Sequence, residues 1–147
     1  MAKFSFKLAS ILSIKEKMED LKKNEMAKAI QALEREKQRL RELVQTRLDC
    51  IDSFRNSINT GVKPEDIKSH NQYLEKLKMM IKAQEMVVEM ATAFVEQKRL
   101  ELVEAMREKK AMEKLKENAY EQHVIEEKQE EQKSIDEIVS YKTAVKG

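Results

Sequence analysis

No tryptophan occurs in this chain of 147 residues, and aromatic residues supply only 5% of it. With so little bulky apolar surface a thick globular core has nothing to fill it, so whatever is buried must lie in narrow stripes. A single cysteine, Cys50, cannot close an internal disulfide, which fits a reducing compartment. Two glycines, Gly61 and the terminal Gly147, exclude a glycine-rich phosphate loop, and one proline, Pro64, leaves most of the chain free to be helical. Charge of one sign is also missing. The 29 basic and 27 acidic side chains leave a net charge of +2, without the basic excess that nucleic-acid binding needs.

Long apolar runs are absent as well. The start, "MAKFSFKLASILSI", is interrupted by Lys7 and lacks the small-residue cleavage site of a signal peptide; it is read as the first turns of a helix. The run "MVVEMATAFV" at 86–95 contains Glu89 and is half the length of a bilayer-spanning helix. A soluble cytoplasmic protein is expected.

What the chain does have is alanine, glutamate, lysine, leucine and arginine, which make up about half of it, the usage of coiled coils. From Met26, steps of four and three residues pass through Ile30, Leu33, Lys37, Leu40, Val44, Arg47, Ile51, Phe54 and Ile58, a mostly apolar stripe of period 3.5. Phe4, Ile11, Ile14, Met18 and Leu21 carry the same spacing in another phase, so a one-residue slip is expected between Leu21 and Met26. A second stripe runs through Ile67, His70, Leu74, Leu77, Ile81, Gln84, Val88, Ala91, Val95, Lys98, Leu102 and Ala105. It thins through Met112, Leu115 and Ala119 and stops before "EEKQEEQKS" at 126–134; Ile135, Ile138 and Val139 follow.

The only breakers fall together in "NTGVKPEDI", between the stripes. Gly61 can end one helix in a left-handed conformation, Pro64 suits the first turn of the next, and Glu65 and Asp66 put negative charge at its positive end. The pattern predicts an all-α fold: a single long antiparallel two-helix coiled-coil hairpin with unequal legs. Its helices run from about 4 to 58 and 65 to 142, with a turn at about 59–64. Facing residues then have numbers summing to about 125, which sets Val44 by Ile81, Ile30 by Val95, Phe4 near Glu121 and Lys37 near Gln84, and leaves roughly the last 25 residues without a partner.

Chemistry has no foothold in these residues. His70 and His123 lie 53 positions apart, no serine or cysteine has a base and an orienting group, and a two-helix hairpin offers no dry cleft. No enzyme, metal or cofactor is expected. Tyr73, Met80, Val87 and Phe94, spaced by seven, form an apolar line beside the second stripe, suited either to wrap the hairpin's seam or to anchor a partner.

The segments "KFSFKLASIL", "GVKPEDI", "MREKKAMEKLKE" and "EQKSIDEI", in this order across essentially the whole chain, resemble the FliJ family of flagellar export proteins. The chain departs from that pattern in having no arginine after Arg107 and in Val139, where a small residue is usual. The resemblance implies a noncatalytic cytoplasmic part of the flagellar type III export apparatus, similar to the stalk, or γ, subunit of rotary ATP synthases. It implies association with the hexameric export ATPase, whose pore would receive the leg carrying both termini. Contact with the cytoplasmic domain of the export gate near the turn, a role as chaperone or chaperone escort, and membrane association through these partners only are implied too. Lys114, Lys116, Glu131, Lys133, Asp136 and Glu137 are the candidate ATPase contacts, and Tyr73, Leu77 and Met80 the candidate gate contacts. A self-associating structural coiled coil, pairing arms between chains, is the rival reading.

Overall fold

The computed structural model describes residues 3–146 as two helices, α1 (Ala9–Ile58) and α2 (Pro64–Lys146), of 50 and 83 residues. α1 begins at Ala9 rather than near residue 4, where the main-chain N–H of Ala9 donates to the Phe6 carbonyl, and α2 continues to Lys146. The turn follows from its residues. Gly61 has φ of 92°, a left-handed conformation, and its N–H donates to the Ile58 carbonyl at 3.2 Å, satisfying one of the acceptors that a helix end leaves open. Pro64 is the first residue of α2, and the Asp66 carboxylate accepts from the Lys63 N–H at 3.3 Å, half of a capping box.

Two compact units divide the chain: one joins the residues up to Leu21 with those from Val103 onward, the other holds 22–102. In each, a segment of α1 lies antiparallel to a segment of α2. In the second unit, α2 turns His70, Leu74, Leu77, Ile81, Gln84, Val88, Ala91, Val95, Lys98 and Leu102 inward, all half-buried or buried, with Leu77 at 3% exposure. Ile67 is 43% exposed and stands outside the row.

The inward row of α1 is not the most apolar one available. It runs Met26, Ala29, Leu33, Glu36, Leu40, Leu43, Arg47, Cys50 and Phe54. Ala29 is 3% exposed whereas Ile30 is 42%, and Val44, at 40%, lies outside while Leu43 is inside. Ile51 is half-buried beside Cys50. Lys37 pairs with Glu34 at 3.9 Å, and Glu36 meets Gln84 instead. The cause is on α2. Gln84 and Lys98 need polar partners, and a small rotation of α1, which keeps Met26, Leu33, Leu40, Arg47 and Phe54 inward, brings Glu36 and Glu25 to them.

The same rotation removes the expected slip at Leu21. Inward residues follow one another by three and four through Leu12, Lys15, Glu19, Lys22 and Met26, while Ile11, Ile14, Met18 and Leu21 are 38–57% exposed. Contacts across the helices pair Phe54 with His70, Glu36 with Gln84, Glu25 with Lys98, Lys15 with Glu108 and Phe4 with Tyr120, whose numbers sum to between 120 and 124.

Candidate interaction surfaces

Each unit carries a polar device where the two helices meet. In the second, the Glu25 carboxylate lies 3.3 Å from both Lys22 and Lys98, and Glu101 lies 3.1 Å from Lys98 and 3.6 Å from Lys22. The bond to Lys22, then that to Lys98, holds the Glu25 carboxyl below the ordinary carboxylate range, and the Lys98 ammonium does the same to Glu101. Lys98 is held above its usual value, chiefly by Glu101. In the first unit, Lys15 meets Glu108 at 2.9 Å, and Lys109 meets Glu19, itself only 6% exposed, at 3.1 Å; Glu19 raises the Lys109 amine. Charge joins the helices along this stretch beside the buried apolar residues Leu12, Ala29 and Ala105.

Nearer the turn a small cluster closes the seam. The Phe54 and His70 rings stack at 3.9 Å with planes 8° apart, and the His70 Nδ1 lies 3.6 Å from the Cys50 Sγ. Residues of both helices are fixed there, in an arrangement that serves packing. Among the described residues no group of three or more His, Cys, Asp or Glu is placed to hold a metal ion, and no helix is long and apolar enough to cross a membrane.

The residues singled out from the sequence fall in three places. Tyr73 and Met80 are exposed on α2, at 44% and 39%, with Leu77 buried beneath them in the seam, so Leu77 sets their backbone and offers no surface of its own. Lys114 and Lys116 are exposed on α2 within the first unit, Lys114 pairing with Glu117 at 3.8 Å. Glu131, Lys133, Asp136 and Glu137 are exposed further along the same helix, where the Gln132 amide donates to Asp136 at 3.0 Å. From Lys114 to Glu137 the rise along α2 is about 35 Å, so these side chains make a long strip rather than one pocket.

Beyond His123, which packs against Phe4 at 5.5 Å, and half-buried Glu127, every described residue from 128 to 146 is exposed. This stretch includes Ile135, Ile138, Val139, Tyr141 and Val145, each more than half exposed. Apolar residues with no intramolecular cover on a strongly charged helix mark a surface that another molecule can use. Two exposed apolar lines escaped the sequence reading as surfaces: Ile11, Ile14, Met18 and Leu21 on α1, and Met79, Met86 and Met90 on α2, at 65–71% exposure. Their spacing is visible in the sequence, but which side of each helix faces its neighbour is not.

The model of the flagellar FliJ protein family matches residues 4–147. Among solved structures, the YscO homologue CT670 from Chlamydia trachomatis superposes with a TM-score of 0.60 at 22% identity, over 92% of this chain and 93% of that one, a likeness of fold. No curated protein matches the chain. With the family model spanning nearly every residue, the chain belongs to the flagellar FliJ protein family and is a component of a type III export apparatus.

Proposed function

We propose that this protein acts as a noncatalytic, stalk-like coupling element of the export apparatus. It engages the hexameric export ATPase through the end of the hairpin where α1 begins and α2 ends. The cytoplasmic domain of the export gate is met through the face carrying Tyr73 and Met80, and export chaperones are received as an escort. It works in the cytoplasm and reaches the inner face of the membrane at the flagellar base only through these partners, binding neither nucleotide nor nucleic acid.

One observation carries the ATPase part of this reading: α2 outruns its neighbour, and all its described residues from 128 to 146 are exposed. A helix of this length kept without an intramolecular partner is supported by a partner molecule. Between 126 and 137 it carries six acidic and two basic residues, so the complement expected on the ATPase is basic.

The test is hydrolysis by the purified export ATPase with and without this chain. Stimulation is expected, and reversing charge in Glu131→Lys with Glu137→Lys, which removes the acidic excess of the overhang, should reduce it without altering helical content. Absence of both stimulation and association would overturn the stalk reading. Binding of export chaperones without any effect on the ATPase would favour an escort role alone.

A further inference from the structure

An uncovered apolar surface of the second unit lies on the side of α2 turned away from α1. Met79, Ala83, Met86, Met90 and Ala93 follow one another by four and three residues, the spacing of a second coiled-coil seam. All five are exposed, the three methionines at 65–71%, and they stand opposite the row through Leu77, Ile81, Gln84 and Val88 that meets α1. Lys76 and Gln97 end the apolar line on either side. One flank is apolar: Tyr73, Met80, Val87 and Phe94, 39–49% exposed. The other is charged, with Glu75 and Lys82 toward its start and Glu89 and Glu96 toward its end.

We infer that this face pairs with the same face of a second copy of the chain, antiparallel, about a two-fold axis passing between residues 84 and 85. An isologous contact demands a surface complementary to itself. In this register Met79 lies opposite Met90 of the second copy and Ala83 opposite its Met86, so small residues receive large ones. Lys76 comes opposite Ala93 of the second copy, where its long stem can cover the alanine with the ammonium in water. The flanks sort themselves. Tyr73 meets Phe94 and Met80 meets Val87 on the apolar side, while Lys82 meets Glu89 on the charged side, each pair occurring twice. Glu75 comes opposite Glu96, whose charge Arg99 already offsets at 2.6 Å.

Parallel pairing is disfavoured by the same flanks. It would set Lys82 and Glu89 against Met80, Val87 and Phe94, desolvating charge on apolar side chains. Lys82 and Glu89 stand at the one spacing that lets each meet the other across the axis, a relation that an unrelated helix does not require. The paired state covers Tyr73 and Met80, so it excludes the gate contact proposed for them; the inference itself needs no gate.

Sedimentation of the full chain tests it without any partner. A dimer that forms with rising concentration is expected. Met86→Glu, outside the hairpin's own seam, should raise its dissociation constant at least about tenfold, with the melting temperature unchanged at concentrations where both chains are monomeric. Lys82→Glu should weaken it several-fold, and adding Glu89→Lys should restore it to within about threefold, because the two positions then meet with exchanged signs. A chain still monomeric at about 500 μM, a dimer indifferent to Met86→Glu, or a double variant as weak as the single one would each overturn the proposal.

Discussion

The Gln84 side-chain amide donates to the main-chain carbonyl of Glu36 at 3.0 Å and to the Glu36 carboxylate at 2.5 Å, across the seam. Gln84 is 7% exposed, so its amide has exchanged water for these two acceptors. A polar residue at a seam position fixes register at a cost in stability. Gln84→Ala, which strands the half-buried Glu36 carboxylate and leaves a gap, is expected to lower stability by about 1–3 kcal/mol. Gln84→Leu should recover most of that and relax the register. Denaturant midpoints check the first, and hydrogen exchange in the turn-proximal helices checks the second. An unchanged midpoint for the alanine variant would show that the pair has no registering role.

Ion pairs among Lys22, Glu25, Lys98 and Glu101 make the hairpin sensitive to acid. Glu25 and Glu101 have their carboxyls held below the ordinary 4.5, so the stability they add is present above that pH and is lost as pH falls through the lowered values. Lys98 is raised above 10.5, and its contribution disappears only in strong base. Thermal melts at low ionic strength should therefore hold their midpoint from neutrality to about pH 5 and drop below pH 4. Raising salt to about 1 M at neutral pH should lower the midpoint by itself, because screening shortens to about 3 Å. A melt indifferent to both would assign the seam's stability to apolar contact.

Why α2 was legible and α1 only half so is a matter of choice between adjacent residues. Along α2 the row from His70 to Leu102 is the longest mostly apolar line of period 3.5, and the structure turns it inward. Along α1, Leu43 beside Val44 and Ala29 beside Ile30 offer two phases, and counting apolar residues selects the wrong one. The deciding groups are Gln84 and Lys98 on the other helix, which no periodicity within α1 contains. The turn was legible because Gly61 and Pro64 each have a single use there. Partner surfaces were less so: Met79, Met86 and Met90 read as core or surface equally well until α1 is seen on the opposite side.

Gly61→Ala should destabilise the hairpin by about 1–2 kcal/mol, since φ of 92° is costly for any residue with a Cβ. Space is not the cause, because a Cβ at Gly61 would meet nothing within 4 Å. Gly61→Asn, which tolerates this region better, should lose less. Equal losses in urea unfolding would point away from backbone conformation.

Leu77 and Tyr73 lie one turn apart and should behave oppositely. Leu77, 3% exposed, is expected to cost about 2–4 kcal/mol on truncation to alanine. Tyr73→Ala, at a 44% exposed position, should stay within about 0.5 kcal/mol, yet weaken binding to the gate's cytoplasmic domain. Calorimetry on both variants, with and without that domain, separates seam from surface. Should Tyr73→Ala bind the gate domain as well as the parent chain, the gate contact lies elsewhere.

Ending the chain after Glu127 tests whether the overhang belongs to the fold or to a partner. The exposed stretch from 128 to 146 adds little buried area, while the seam contacts reach as far as Phe4 against Tyr120 and His123. Removing it should leave the melting temperature of the hairpin within about 2 °C, since only exposed helix is lost. The ellipticity at 222 nm should fall roughly in proportion to the residues removed if the free overhang is helical, and by less if its helix forms on the partner. Association with the export ATPase should be lost in either case. A truncated chain that melts much earlier would mean the overhang stabilises the seam after all, and one that still stimulates the ATPase would move the contact back to Lys114 and Lys116.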